Sequence, residues 1–270
     1  MITVSLLRIF FDKINLNEII IMKTKITQLN FKLAKSVALF VSFGLFVVSC
    51  SSNDDGFDDA NGNVAKKYIS KIVTQSEGQT SVANITYNNE GQVVSASTDN
   101  DVKYFSYFDD GRLKKISGGG ENILTSEVIN EIHAAYEIGD VLDYDSKGNP
   151  TILELYDVDY YGNQVTNTAH LSYDTKPFTF YHTLDAAGII AVLYDVRLQF
   201  YTPAEIIMAK KLLPVYNPIK AVIKDSSNQE IGTITVNYTY DNENYPTNAT
   251  VISIDDVGYA TSSTVIYQYK

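Results

Sequence analysis

A four-residue turn pattern recurs along the chain and constrains the fold more than any other feature. Each copy begins with Asp or Asn, whose side chain accepts bonds from the turn's own amides, and ends in Gly or Asn, which adopt positive φ at low cost. The copies span residues 88–91, 145–148, 159–162, 185–188, 225–228, 241–244 and 255–258, with an eighth at 108–111 that starts with Phe108. Turns of this kind close bulged β-hairpins.

The segments between the turns alternate as half-buried strands do. Val236, Tyr238 and Tyr240 fall on one side of a strand, and the same alternation places Tyr267 and Tyr269 together near the C-terminus. A period of two between turns indicates antiparallel hairpins with one buried face. The sequence therefore predicts a mostly β fold, an antiparallel meander of successive hairpins with about a dozen strands and one or two short helices.

Two segments predict the helices. Residues 202–205 (Thr-Pro-Ala-Glu) form a capping box with Pro at the first helical position, so we expect a helix to about Leu213. Its inward residues should be Ile206, Ala209 and Leu213. Residues 125–136 place Val128, Ile129, Ile132, Ala135 and Tyr136 on one helical face, although their β-branched members would also suit a strand.

The N-terminus has the parts of an export signal. A basic stretch from Lys23 to Lys35 precedes an apolar run at residues 37–48, which ends in Val47-Val48-Ser49-Cys50. A run of twelve residues is shorter than the roughly 20 that a membrane-spanning helix needs. We assign residues 1–49 to the signal, and residues 1–21 either belong to it or precede a true start at Met22.

The Val-Val-Ser-Cys segment resembles the lipobox of bacterial lipoproteins. The resemblance implies that the thiol of Cys50 is acylated and that Cys50 becomes the first residue of the mature chain. Residues 50–63 then form a flexible acidic tether, and residues 64–270 form a single Tyr-rich β domain. An acidic cluster after the cysteine is similar to the surface-export signal of Bacteroidota lipoproteins, and it also fits a plain solvated linker.

The charge of the mature chain limits its partners. Removing the signal leaves 15 basic and 30 acidic residues, a formal charge of −15. Such a chain repels nucleic acid and anionic head groups, so we exclude both as partners. All 20 tyrosines lie in the mature part and tryptophan is absent, a composition typical of pleated sheets.

Residues 104–113 resemble a unit of the YD repeat of Rhs-type proteins, Tyr-x-Tyr-Asp-x-x-Gly-Arg-Leu, with Phe108 in place of the Asp. Residues 142–150 and 238–246 are similar to it more loosely, and the spacing of the units is irregular. The mature chain as a whole is similar to a family of Bacteroidota surface lipoproteins with a few such hairpins. The family has no assigned activity, so the resemblance implies a fold and a location only.

The titratable residues predict no catalytic, metal or cofactor site. His133, His170 and His182 lack metal-ligand spacing, and no Ser lies in a nucleophile-elbow context. Glu154, Asp157 and Asp159 lie beside or within turns, where a carboxylate usually serves the backbone. The Asp-rich turns lack the EF-hand spacing for calcium, and residues 118–120 (Gly-Gly-Gly) predict a flexible loop without the context of a phosphate cradle.

These observations favour a non-catalytic protein that is anchored to a membrane. The first hypothesis is a binding module for a glycan or a protein, with Tyr238, Tyr240, Tyr267 and Tyr269 as its aromatic face. The alternative is a structural or assembly lipoprotein of the envelope that contacts a partner protein, and a hydrolase ranks third. We expect a location on the outer membrane facing the cell surface, with a periplasm-facing position as the alternative.

Overall fold

A computed structural model describes residues 55–98, 101–134, 139–158, 164–199 and 206–270. These ranges contain sixteen strands, four short α-helices and one 3-10 helix. None of the helices in these ranges is long and apolar enough to cross a membrane. The predicted signal, Cys50 and the predicted turn at residues 159–162 lie outside the described residues.

The strands follow one another along the chain with short connections. Their bounds are β1 Ile69–Ser76, β2 Gln79–Tyr87, β3 Val93–Thr98, β4 Asp101–Tyr107, β5 Leu113–Gly118, β6 Glu121–Leu124, β7 Ile132–Ala134, β8 Gly139–Tyr144, β9 Pro150–Val158, β10 Gln164–Pro177, β11 Arg197–Gln199, β12 Ile206–Met208, β13 Tyr216–Lys224, β14 Glu230–Tyr240, β15 Pro246–Asp255 and β16 Ala260–Tyr269. The helices are α1 Asp55–Gly62, α2 Thr125–Ile129, α3 Tyr181–Ala186, α4 Ile189–Asp195 and the 3-10 helix Ala209–Leu212.

Thirteen of the strands form one antiparallel sheet in the order β6-β5-β4-β3-β2-β1-β16-β15-β14-β13-β10-β9-β8. Most strands pair with a sequence neighbour, as predicted. The first and last strands, β1 and β16, meet in the middle of the sheet. The remaining three strands form a small sheet in the order β12-β11-β7, in which β7 and β11 are parallel. The prediction of a mostly β antiparallel meander is confirmed.

Six of the eight predicted turns close hairpins between described strands. In each, the amide of the last residue donates to the carbonyl of the first, as in the turn from Asp241, where Asn244 N donates to Asp241 O over 3.2 Å. Asp241 Oδ1 also accepts from the amides of Glu243 and Tyr245. Asn244 adopts a φ of 66°, the positive value that the pattern predicts. These short local interactions set the register of the meander.

The turns divide the large sheet into two ends. The proximal end is the one at which β1 begins, and it carries the turns of residues 88–92, 108–112, 145–149 and 241–245. The distal end carries the turns of residues 225–229 and 255–259. The N-terminal segment reaches the proximal end, where Tyr245 Oη donates to Ala65 O over 2.8 Å. The segment between α1 and β1 therefore lies at the proximal end.

One face of the large sheet, the inner face, packs against α3 and α4. Leu184 of α3 and Leu193 of α4 are buried in the same core cluster as Ile116 and Ile234 of the sheet. Two polar contacts hold α3 on the sheet: Ile69 N donates to Thr183 Oγ1 over 2.9 Å, and Tyr107 Oη lies 3.4 Å from Ala186 O. The core thus lies between one face of the sheet and two short helices.

The prediction of a helix that reaches Leu213 is wrong for the residues of that segment that the structure describes. Residues 202–205 lie outside the described ranges, Ile206–Met208 forms strand β12, and Ala209–Leu212 forms a 3-10 helix. Ala209 and Leu213 are buried as expected, whereas Ile206 is exposed. Pairing with β11 overrides the local helical signal, because two adjacent β-branched residues suit a strand.

Three other predictions need correction. The helix predicted at residues 125–136 ends at Ile129 and is followed by β7, and residues 135 and 136 lie outside the described part. The predicted hairpin turn at residues 185–188 instead ends α3, with Gly188 at a φ of 70° between α3 and α4. Residues 118–120 form the tight turn between β5 and β6 rather than a flexible loop.

The predicted flexible tether is helical from Asp55 to Gly62. Phe57 and Asn61 of α1 are buried. Asn61 Nδ2 donates to Val215 O over 3.1 Å, and Phe178 N donates to Asn61 Oδ1 over 2.6 Å. The expectation of flexibility is therefore wrong for this stretch, because one aromatic and one amide side chain find partners far along the chain.

Candidate functional site

Tyrosines at the proximal end tie neighbouring strands together. Each donates its phenol hydrogen to a backbone carbonyl at or near the start of the preceding strand of its hairpin. The four bonds are Tyr87 to Ile69 O at 2.6 Å, Tyr107 to Val93 O at 2.6 Å, Tyr238 to Pro218 O at 3.2 Å and Tyr269 to Pro246 O at 2.7 Å. Much of the tyrosine content therefore has a structural role that the sequence analysis missed. The signal was available, since Tyr87 and Tyr107 directly precede a turn.

The structure places the four tyrosines of the predicted aromatic face on the inner face of β14 and β16. All four are partly buried. The rings of Tyr238 and Tyr240 lie 5.7 Å apart, and Tyr269 packs edge-on against Tyr245 at 5.6 Å. Tyr240 Oη donates to Asp174 Oδ2. The predicted sharing of one face is what the structure shows, and a binding role for these residues stays a prediction.

Two of these tyrosines, Tyr238 and Tyr267, line a cleft between the inner face and the segment that joins β10 to α3. The cleft has a volume of about 30 Å³, or about 450 Å³ with the open space at its mouth. Its other lining residues are mostly apolar: Phe178, Thr179, Phe180, Asn217, Pro218, Val236, Ala249, Val251 and Val265. We take this cleft as the candidate functional site, because it is a concavity lined by residues from four strands and one connection.

Two polar residues of the cleft, Asn217 and Thr179, are bonded to each other. Asn217 Oδ1 accepts from Thr179 N at 2.9 Å and from Thr179 Oγ1 at 2.6 Å, and Asn217 Nδ2 donates to Pro177 O at 2.9 Å. These bonds hold the connection against β13 and keep its backbone fixed. The cleft therefore offers mainly apolar contact and shape, with the side chains of Thr179 and Asn217 already engaged.

Burial controls the ionisation of the groups around the cleft. It raises the pKa of Tyr238 and of Tyr267 well above that of an exposed tyrosine, so both phenols are neutral at neutral pH. It also raises the pKa of Asp174, while the bond from Tyr240 and the amides of Lys176 and Asn217 oppose that rise. The two phenols that line the cleft are therefore uncharged, which suits contact with an apolar group.

The histidines lie apart from one another. The ring of His133 lies 2.7 Å from Val128 O, and His170 is partly buried on β10 between β9 and β13. His182 of α3 is 1% exposed, and burial together with the charge of Lys66 lowers its pKa to about 4. Within the described ranges, no group of three His, Cys, Asp or Glu residues is arranged to hold a metal ion.

A polar cluster near α1 was also missed by the sequence analysis. Lys210 of the 3-10 helix is buried, and its Nζ lies 2.9 Å from Asp58 Oδ2 and 3.7 Å from the centroid of the Tyr194 ring. Tyr194 Oη donates to Asp58, and Tyr181 Oη donates to Asp58 Oδ1 over 3.0 Å. This cluster joins α1, α3, α4 and the 3-10 helix, and its role is to hold α1 on the domain.

No protein-family model matches the chain, and no curated protein matches it. Among solved structures, the chain is similar to a porin-like protein from Bacteroides uniformis, at 14% identity and a TM-score of 0.34, over 75% of this chain and 98% of that one. A porin-like protein from Bacteroides vulgatus is 10% identical with a TM-score of 0.39, over 76% and 99% of the two chains. A LolA superfamily protein from Nitrosomonas europaea is 9% identical with a TM-score of 0.23, over 79% and 89%. Structural similarities with identities and TM-scores this low do not support an inference about function.

Proposed function

We propose that this protein is a membrane-anchored, non-catalytic binding module that takes an apolar side chain of a protein partner into the cleft beside Tyr238 and Tyr267. The observation that supports this most is the lining of the cleft, in which aliphatic residues such as Val236 and Val251 meet the rings of Phe178 and Phe180. Apolar pockets with a few fixed polar groups are the usual form of a binding site. The volume suits one side chain rather than a large ligand.

The same geometry favours a protein over a glycan among the two ligand classes. A sugar needs donors and acceptors around an exposed aromatic ring, whereas Tyr238, Tyr240 and Tyr269 each use their phenol hydrogen within the protein. The rings of Tyr238 and Tyr269 also pack against the core. An aliphatic or aromatic side chain gains from burial in such a cleft without needing these donors.

Site-specific photo-crosslinking in intact cells tests the proposal. A benzophenone amino acid replaces Phe180 at the cleft, and in a control it replaces Tyr104, which is 56% exposed on β4. We expect a discrete protein adduct from position 180 and none from position 104. Equal adducts from both positions, or none from position 180, would refute a protein partner at the cleft. Retention of the mature protein on a glycan array, with no adduct, would favour the glycan instead.

We further propose that the protein is attached to the outer membrane through lipid on Cys50 and faces the cell surface. The acidic residues that follow Cys50 support this arrangement. Protease shaving of intact cells, with lysed cells as control, separates the two orientations. Loss of the domain from intact cells is the expected result, and survival until lysis would place the domain in the periplasm.

A further inference from the structure

The small three-stranded sheet has one apolar face that is open to solvent. Ile132 and Met208 both pair with Arg197, so the three side chains form one row on the same side of this sheet. Ile206, two residues before Met208, lies on that side as well. Ile132, Ile206 and Met208 are 46%, 52% and 44% exposed. We call this surface the outer patch.

The opposite side of the small sheet belongs to the core. Leu198 and His133, which alternate with the residues of the outer patch along β11 and β7, are 4% and 6% exposed. The strands are therefore packed against the core on one side, and three large apolar side chains are about half exposed on the other. Clustered exposure of this kind marks a surface that meets another apolar phase.

The outer patch lies near α1, the first helix after Cys50 in the part of the chain that the structure describes. Strand β12 runs directly into the 3-10 helix, whose Lys210 Nζ lies 2.9 Å from Asp58 Oδ2 of α1. Tyr194, which is 38% exposed, also donates to Asp58. Only one residue separates Met208 from Lys210, so the patch lies two residues along the chain from the ion pair that holds α1.

The length of chain between α1 and Cys50 limits how far the membrane can lie from this patch. Five peptide units separate Asp55 from Cys50, and a fully extended segment of that length spans at most about 18 Å. Acyl chains on Cys50 place the bilayer surface within that distance of α1. A surface so close to an exposed apolar patch is the phase most available to cover it.

The residues around the outer patch also suit a phospholipid surface. Arg197 lies in the centre of the apolar row, where its stem can pack on Ile132 and Met208 while its guanidinium reaches phosphate oxygens. Glu131 and Asp195 stand beside the strand ends, where carboxylates remain in water. The formal charge of −15 on the mature chain argues for a zwitterionic rather than an anionic surface.

We propose that the outer patch, formed by Ile132, Ile206 and Met208 around Arg197, rests on the phospholipid surface to which Cys50 anchors the chain. The protein then has a fixed orientation: the proximal end and the small sheet face the bilayer, and the distal turns point away from it. This inference depends on the anchor at Cys50 and not on a ligand in the cleft.

Depth measurements on the full chain test the proposal. Met208→Cys and, as control, Val257→Cys are each produced in a bacterium that processes lipoproteins. Acylation of Cys50 leaves the introduced thiol as the only one to label. Val257 is 67% exposed in the turn at the distal end of β15, a strand of ten residues that spans about 33 Å. Each protein carries an environment-sensitive fluorophore and is reconstituted into phosphatidylcholine vesicles that contain lipids with a quencher on the acyl chain.

We expect the label at position 208 to lose most of its fluorescence to the quencher and to shift to shorter wavelength, while the label at position 257 keeps both its intensity and its wavelength. Equal behaviour of the two labels would overturn the proposal. If both labels kept the fluorescence that they show in water, the outer patch would not rest on the bilayer and would instead be available to a protein partner. If the chain failed to sediment with the vesicles, the anchor and the proposal would both fall, whereas the photo-crosslinking result at the cleft would be unaffected.

Discussion

Three buried asparagines form hydrogen bonds with backbone groups at the proximal end, as the paired strands do with one another inside the sheet. Asn61, Asn149 and Asn217 are each at most 1% exposed. Asn149 Oδ1 accepts from the amides of Val215 and Tyr216 at 2.9 and 3.0 Å, and its Nδ2 donates to Asp145. Buried backbone amides need such partners, since leaving one unpaired costs about 1–3 kcal/mol. These side chains therefore fix the irregular segments that surround the cleft.

Asn149→Ala should lower the free energy of unfolding of the mature domain by about 3 kcal/mol, because the amides of Val215 and Tyr216 lose their acceptor. Urea denaturation measures the change. The control is Asn242→Ala, a substitution at an exposed position in the turn between β14 and β15, which should change the free energy by no more than about 0.5 kcal/mol. Equal losses in the two variants would show that Asn149 has no such role.

His182 gives the domain a dependence on pH. Its pKa in the folded state is about 4, below the ordinary value of 6.5, because burial and then Lys66 disfavour the charged ring. The unfolded chain therefore binds a proton that the folded chain does not. The free energy of unfolding therefore has its full value above pH 6.5. It decreases by roughly 3 kcal/mol as the pH falls toward 4, because protonation of His182 favours the unfolded chain.

His182→Phe should remove this loss, since a phenyl ring fits among Tyr68, Tyr181 and Tyr245 and does not titrate. The free energies of unfolding of the two proteins, measured by urea denaturation from pH 7 to pH 4, should diverge in favour of the variant as the pH falls. Asp174 and Asp185, whose pKa values burial raises, are present in both proteins and cancel in the difference. If the free energies of unfolding of the two proteins changed in parallel with pH, His182 would not be the source of the pH dependence.

At the scale of elements, the tyrosine bonds between hairpin strands are the recurring device. Tyr107→Phe removes the bond to Val93 O and should lower the free energy of unfolding by about 1 kcal/mol. Tyr104 lies on the same strand with its side chain on the opposite, exposed face. Tyr104→Phe is thus the matched control and should be neutral in thermal or urea unfolding. A neutral Tyr107→Phe would mean that the phenol bonds add nothing to strand pairing.

The junction between α3 and α4 depends on a glycine more strongly than a hairpin turn does. Gly188 and Gly91 have φ values of 70° and 85°, which cost an L residue about 1 kcal/mol or more. An added Cβ at Gly188 would lie 2.9 Å from Leu113 Cβ in the core, whereas one at Gly91 would meet no atom within 4 Å. Gly188→Ala should therefore destabilise by about 3 kcal/mol and Gly91→Ala by about 1 kcal/mol. Similar losses from both, measured by urea denaturation, would exclude the clash with Leu113.

The sequence predicted the elements whose causes are local. Asp241 and Asn244 specify their turn by themselves, and alternation along β14 placed Tyr238 and Tyr240 on one face. Residues 185–188 carry the same pattern yet end a helix, because a residue with positive φ serves both structures. Helix α1 and strand β12 escaped prediction, since Asn61 bonds to Val215 and Ile206 lies opposite Gln199, contacts that only the tertiary fold creates. The cleft could not be predicted for the same reason, because residues 178–180 pack over the sheet from another part of the chain.

At the scale of the whole molecule, the proposed membrane anchor, the proposed orientation and the binding cleft are related through helix α1. This helix is held on the domain by Asp58 and Asn61, so lipid on Cys50, as proposed, would attach the membrane close to a defined place on the surface. The cleft lies among residues near the proximal end of β13 and β14, on the same part of the molecule as the N-terminal segment. A partner that inserts a side chain there would be held close to the bilayer.

The anchor is the premise on which location, orientation and proposed function all depend, and Cys50 tests it most directly. Cell fractionation of the wild type and of Cys50→Ser, followed by mass spectrometry of the N-terminal peptide, gives the answer. The account predicts that the wild type is in the membrane fraction with Cys50 as its first residue and acyl chains attached, and that Cys50→Ser is released from the membrane. An unmodified Cys50, or a Cys50→Ser protein that stays in the membrane as the wild type does, would contradict it.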